Sequence, residues 1–157
     1  MKDRHWRTPY SVAGLTVWGT SLDSADRRAA VGTARPADLG VYLDDRWLPE
    51  ADAHQRWFLT WPTLDAPPEA GRVVATLAYV LERLRLGDFV EIACFGGHGR
   101  TGTAIACLDV LAGASPADAV ARMRRDYCPY AIGSDELAAF VHDVPRLRAR
   151  PPSEVGA

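Results

Sequence analysis

A disulfide framework, a nucleic-acid surface and a membrane span all lack support in this sequence. Its only cysteines are Cys94, Cys107 and Cys128, an odd count without framework spacing, and that usage fits a reducing compartment. Lys and Arg number 18 against 20 Asp and Glu, so the formal charge of −2 creates no basic field for nucleic acid or an anionic membrane surface. No apolar run approaches the roughly 20 residues of a spanning helix. The opening Met1-Lys2-Asp3-Arg4-His5-Trp6 has no apolar signal region. The expectation is a cytoplasmic protein with no membrane or nucleic-acid partner, no cofactor and no metal site. No internal repeat or interdomain linker is present, and nothing in the sequence specifies an oligomeric state.

What is present is enough apolar material for one core. Hydrophobic residues are 48% of the chain and charged ones 24%, ordinary for a globular domain of 157 residues. Extended and helical patterns alternate. Val12 to Thr20, with Leu15, Val17 and Trp18, reads as a strand. Leu39 to Leu43, Arg56 to Thr60 and Phe89 to Ala93 read as three more. Asp23 to Pro36 is polar and rich in Arg and Ala, either a loop or a short helix. Between Glu69 and Leu86, Val73, Val74, Leu77, Val80, Leu81 and Leu84 mark one helical face, and Gly87 ends it. A helix from Arg100 to about Ala112 is apolar nearly all round and is expected to be buried. Ser115-Pro116 opens another helix, and Ser134 caps a last one with Leu137, Phe140, Val141 and Val144 inward. From Pro145 the chain is expected to fray. The alternation specifies an α/β fold: a single domain over residues 1–150 with a central, mostly parallel sheet of about four to five strands flanked by helices. A disordered C-terminal tail is expected over 151–157.

The most informative segment is Cys94-Phe95-Gly96-Gly97-His98-Gly99-Arg100-Thr101. A sulfur nucleophile stands at the end of a central strand, where α/β sheets place their ligands. Five residues separate Cys94 from Arg100, and three of them are glycine. That length lets the amides of Phe95, Gly96, Gly97, His98 and Gly99 converge on one anion, and the glycines tolerate the positive φ that such a curl demands. The helix beginning near Arg100 aims its positive dipole end at the same point. The Arg100 guanidinium can fork onto two phosphate oxygens. These positive groups favour the thiolate of Cys94, which is the reactive form. Thr101 places a hydroxyl beside the sulfur, suited to stabilise it as a leaving group. Two other readings compete. One is a glycine-rich turn around a buried, inert cysteine. The other, a nucleotide-binding P-loop, lacks its lysine, since Gly102 is followed by Thr103. Cys107 reads as a small core residue, and Cys128 precedes Pro129 at a helix end.

Cys94 to Thr101 resembles the phosphate-binding signature of the cysteine-dependent protein tyrosine phosphatase superfamily: His-Cys, five residues, Arg and Ser or Thr, with a glycine three positions after the cysteine, here Gly97. Thr60-Trp61-Pro62-Thr63-Leu64-Asp65-Ala66-Pro67 resembles that family's movable acid loop, Trp-Pro-Asp-x-Gly-x-Pro, and lies one helix and one strand upstream of the signature. The resemblance covers about Trp61 to Val141. The chain has no room for a long recognition insert, so it is most similar to the compact dual-specificity and atypical members. The resemblance implies Cys94 as nucleophile, Arg100 and the loop amides as the phosphate clamp, and a loop aspartate as general acid.

It also exposes departures. Aligned without gaps, the family's aspartate falls on Thr63 and its glycine on Asp65. Asp65 supplies the acid if the loop backbone shifts by about two residues, roughly 6–7 Å of extended chain. Its competing role is a cap for the helix starting near Pro68 or Glu69. Asp44 and Asp45 are a fallback acid source, with a solvated turn as their plainer reading. Ala93 stands where the family has a histidine that helps hold the loop and tune the thiol. His98 sits on the loop's lip, facing either substrate, where it adds charge for a multiply anionic ligand, or solvent. The family's water-positioning glutamine has no counterpart near Glu136 and Leu137.

These readings predict a phosphatase that hydrolyses phosphomonoesters of phosphotyrosine or phosphoserine/threonine proteins, or of small phosphoesters, through a phosphocysteine. The alternative is a pseudophosphatase that holds phosphorylated partners with little turnover; Thr63, Ala93 and the missing glutamine speak for it.

Overall fold

The apolar run that leads to Cys94 forms the middle strand of a five-stranded sheet. The computed structural model describes residues 5–30, 33–44, 53–62 and 64–149. Its elements are β1 (Thr8–Val12), β2 (Leu15–Ser21), α1 (Ala25–Ala30), β3 (Ala37–Tyr42), β4 (Ala53–Phe58), α2 (Ala70–Arg85), β5 (Val90–Cys94), α3 (Gly99–Leu111), α4 (Pro116–Asp126) and α5 (Asp135–Arg148). The sheet order is β1-β2-β5-β3-β4; β1 runs antiparallel to β2, and every other neighbouring pair is parallel. This is the single α/β domain with a mostly parallel sheet that the sequence predicts.

The pleat of β5 divides its side chains between two environments. Val90, Ile92 and Cys94 belong to the main apolar core beneath α2 and α3, and α4 and α5 pack on α3. All residues of α3 from Arg100 to Leu111 are buried, as its all-round apolar pattern requires. Ala93 belongs instead to a small cluster with Tyr42. Glu91, on the same face as Ala93, is fully buried and held by Arg7 Nε (3.0 Å), Tyr42 Oη (2.8 Å) and Arg27 Nη1 of α1 (3.7 Å). Enclosing cations make that burial tolerable.

The ends of elements follow local chemistry. Gly87 takes φ +90° after the C-cap Leu86, and Ser115 and Ser134 accept from Asp118 N and Leu137 N as N-caps. Two boundaries differ from expectation. The predicted strand Val12 to Thr20 contains a hairpin turn, with Ala13 (φ 48°) and Gly14 (φ 82°) both left-handed, as a two-residue I′ turn requires. The strand before it, β1, is an edge strand, so Pro9 opposite Trp18 does no harm there. The fraying expected from Pro145 does not occur, because α5 continues to Arg148. Burial of Val144 and Leu147 holds that last turn despite the proline's missing N–H. The expected tail over 151–157 lies outside the described residues. Among the described residues, no helix is long and apolar enough to cross a membrane.

Candidate active site

The loop between β5 and α3 is braced from its outer side. Leu22 N donates to Cys94 O (3.0 Å), Asp23 N to Phe95 O (3.1 Å), Ser21 Oγ to Phe95 O (2.7 Å) and Tyr127 Oη to Gly97 O (2.7 Å). In a trans peptide the following N–H points away from the carbonyl. Fixing these carbonyls outward therefore turns the amides of Phe95, Gly96 and His98 inward. Burial, with lesser contributions from Cys94 and Cys128, pushes the Tyr127 hydroxyl well above its ordinary range, so it stays protonated and able to donate. Gly97 N donates to Cys94 Sγ at 3.2 Å.

Gly97 has φ +75°, and a Cβ on it would stand 3.1 Å from Ser21 N and from Thr20 C and O. Gly96 and Gly99 do not use positive φ. Gly99 instead permits close approach, since a Cβ there would lie 3.0 Å from Leu64 Cδ2.

Arg100 is buried and reaches across to the ends of β3 and β4. Its Nη1 donates to Leu43 O (3.0 Å) and Trp61 O (2.6 Å), and its Nη2 to Asp44 Oδ2 (2.9 Å). These bonds leave Nε–H and one Nη2–H as the edge available to an oxyanion. Asp44 is consequently not a spare acid in a solvated turn. It is buried and ion-paired with Arg100, because β3 lies directly beside β5 and its carboxyl end opens next to the Cys94–Arg100 loop. Asp45 and Thr63 lie outside the described residues. Thr101 Oγ1 accepts from Cys94 N at 2.8 Å, which sets the hydroxyl beside Cys94.

The loop after β4 is tied down at two consecutive carbonyls. Trp61 Nε1 donates to Asp65 O (2.8 Å), and Ser134 Oγ donates to Leu64 O (2.6 Å). Trp61 is itself buried, edge-on to Phe140. Asp65 is exposed. It does not cap α2, whose N-cap is Glu69 with no side-chain cap hydrogen bond. Leu64, Cys94, Gly96, His98, Arg100 and Tyr130 line a cavity of about 300 Å³, and Asp65 is not among its lining residues. Leu64 and Tyr130 are each about half exposed and form apolar jambs of its mouth.

His98 lines that cavity but is also held from behind. Its side chain turns back, placing Nδ1 3.2 Å from Cys128 Sγ. Ala93 is fully buried against Tyr42, so an apolar contact fills the place of the family's histidine. All three cysteines are free thiols, and burial pushes the Cys107 thiol far up, which makes it an inert core residue as expected. Sequence reasoning missed the outer braces Ser21 and Tyr127, the rim residue Tyr130 and the role of Asp44. Only for Asp44 is there a local signal, an acidic residue just after a strand.

Known proteins share this architecture. The structure of Tk-PTP in its active form superposes with a TM-score of 0.70 at 24% identity, over 90% of this chain and 99% of that one. Kinase-associated phosphatase, with its catalytic-site cysteine changed to serine, gives 0.73 at 14% identity over 96% and 99% of the two chains. Human DUSP28 gives 0.66 at 16% identity over 94% and 100%. Two uncharacterized proteins of Methanocaldococcus jannaschii are 28% and 27% identical, across 69% and 70% of this chain and 76% and 72% of their own lengths. Residues 5–142 match the family model described as the Swiss Army Knife protein DSP-PTPase phosphatase domain, and the chain belongs to that family.

Proposed function

We propose that this protein hydrolyses phosphomonoesters by way of a phosphocysteine on Cys94. The observation that carries the reading is the 3.2 Å donation from Gly97 N to Cys94 Sγ in a cavity that Arg100 also lines. A phosphoryl group entering there meets the inward amides of Phe95, Gly96, Gly97 and His98 and the remaining edge of Arg100. Those donors are fixed before substrate arrives, so they stabilise developing charge without reorganising. Cys94 attacks phosphorus and the P–O bond to the leaving group breaks. Asp65 protonates the departing oxygen, then takes a proton from the water that cleaves the phosphocysteine. Thr101, held at Cys94 N, keeps its O–H for the thiolate released in that second step. For Asp65 to act, its loop must bring the carboxylate inward from its exposed position. Lid motions of that kind are common in enzymes.

The mouth between Leu64 and Tyr130 suits a flat or apolar leaving group, which favours phosphotyrosine among phosphoprotein and small phosphoester substrates. A reducing cytoplasm suits three free thiols. Hydrolysis of an activated aryl phosphate tests the reading: the wild type should turn over and Cys94→Ser should not, and equal rates would sink it. The second reading, a module that binds phosphorylated partners with little turnover, is favoured by the exposure of Asp65. Under it, Asp65→Asn leaves both phosphate binding and the residual rate unchanged.

A further inference from the structure

Behind the Cys94–Arg100 loop, His5, His98 and Cys128 converge. Each offers one ligand atom, and the three atoms lie within 4.8 Å of one another. They arrive from separate parts of the chain: His5 precedes β1, His98 is the N-cap of α3, and Cys128 follows α4. The His5 and His98 rings meet edge to face with centroids 4.8 Å apart, and His5 stacks on Tyr127 at 4.5 Å. The geometry points to a binding site for one zinc-type divalent cation held by His5, His98 and Cys128.

The donor set decides the class of ion. Two imidazoles and a thiolate suit zinc and its borderline-soft neighbours, whereas calcium and magnesium demand oxygen. Zinc bonds of about 2.0–2.1 Å to nitrogen and about 2.3 Å to sulfur set neighbouring ligand atoms roughly 3.5 Å apart around a tetrahedron. The 3.2 Å between His98 Nδ1 and Cys128 Sγ and the 4.8 Å limit on the whole set bracket that spacing, so small side-chain rotations suffice.

Supporting contacts are also in place. His5 Nδ1 lies 2.9 Å from Thr8 Oγ1; donation from Nδ1–H to that hydroxyl leaves the Nε2 lone pair for a metal. Tyr130 N approaches Cys128 Sγ at 3.4 Å and helps hold the sulfur in place. The Nε2 atoms of both histidines are buried. Binding displaces the Cys128 thiol proton to solvent, and water or an anion completes the fourth position. The sequence does not announce such a site, because ligands at positions 5, 98 and 128 carry no motif spacing. Its effect would be mechanical. His98 directly follows Gly97, whose amide faces Cys94 Sγ, so the ion clamps the chain start and the end of α4 to the loop that surrounds the nucleophile.

The test uses the full chain in a Cys94→Ser background, so that the nucleophile cannot supply the thiolate. Metal is stripped with a chelator, and cobalt(II) is titrated as a spectroscopic substitute for zinc. The expected result is saturation at one ion per chain with a thiolate-to-cobalt charge-transfer band, displacement by zinc, and a zinc-dependent rise in Tm. Cys128→Ser and His5→Gln, each in the same background, should abolish the band and weaken zinc binding by at least ~10-fold. The partly exposed His5 makes His5→Gln the arm that decides if Cys128→Ser folds poorly. No thiolate band, a band that survives either substitution, or a band seen only when Cys94 is intact would overturn the site.

Discussion

Asp44 Oδ2 accepts from Arg100 Nη2 at 2.9 Å, and both side chains are buried. Asp44 therefore meets the candidate site through Arg100, and in the proposed reaction it is a positioning residue. Replacing it with Asn removes the charge and leaves a buried guanidinium uncompensated, a change that costs on the order of 3–5 kcal/mol when a buried pair is broken. An oxyanion in the loop would restore part of that loss. We expect Asp44→Asn to lower Tm in plain buffer, and phosphate or vanadate to raise Tm by more in the variant than in the wild type. Thermal melts with and without the anion check this; an equal anion-induced shift in both proteins would show that Asp44 and the bound anion do not share Arg100.

Asp65 is exposed in this structure, yet it is the only described acidic residue in the Trp61–Pro67 segment. General acid–base catalysis typically contributes about 10²–10⁴-fold. Asp65→Asn should therefore lower kcat by ~10²-fold or more on alkyl or phenyl phosphates. The loss should be smaller on nitrophenyl phosphate, whose leaving group needs little protonation. Steady-state kinetics across a series of leaving groups check the trend. A leaving-group-independent loss would assign Asp65 to loop structure and not to proton transfer.

Ser134 carries two duties with one hydroxyl: it accepts from Leu137 N at 3.2 Å as the N-cap of α5 and donates to Leu64 O at 2.6 Å. Ser134→Ala removes both and should destabilise the fold by about 0.5–2 kcal/mol, the usual worth of such a cap. Ser134→Asp separates them, since a carboxylate accepts at the cap but cannot donate to a carbonyl. Urea melts of Ser134→Asp should approach the wild type while kcat stays altered, because Leu64, and Asp65 after it, lose their anchor to α5. Recovery of both stability and kcat in Ser134→Asp would show that the Leu64 bond is irrelevant to turnover.

What the sequence reveals and what it hides separate along a physical line. Chemistry that is local to a few residues can be read directly. The left-handed φ of Gly97, the serine caps and the largely apolar pattern of α3 are each written in a few neighbouring residues. Ala13-Gly14 is local too, but the apolar residues on both sides of it read as one strand until positive φ at both positions splits the run. The partners of Arg100 are different. Leu43, Asp44 and Trp61 reach it only because β3 pairs beside β5, and β4 beside β3, which are long-range choices that the motif does not contain. The same holds for the buried Glu91 and for the turning of His98 toward Cys128.

A last prediction concerns pH. Burial raises the Asp109 carboxyl above its ordinary range, against the opposing pull of hydrogen bonds from Tyr10 Oη (2.5 Å) and Arg122 Nη1 (3.0 Å). The folded protein thus holds this proton at pH values where the unfolded chain has released it. The resulting contribution to stability is fully present below the ordinary carboxyl range, near pH ~4, and is lost as pH rises through the raised value. The unfolding free energy of the wild type should therefore fall relative to that of Asp109→Asn as pH is taken from about 4 to about 7, since the amide cannot ionise. Urea unfolding of the two proteins at matched pH measures the difference. Parallel curves over that window would mean that the bonds from Tyr10 and Arg122 fully offset the burial of Asp109.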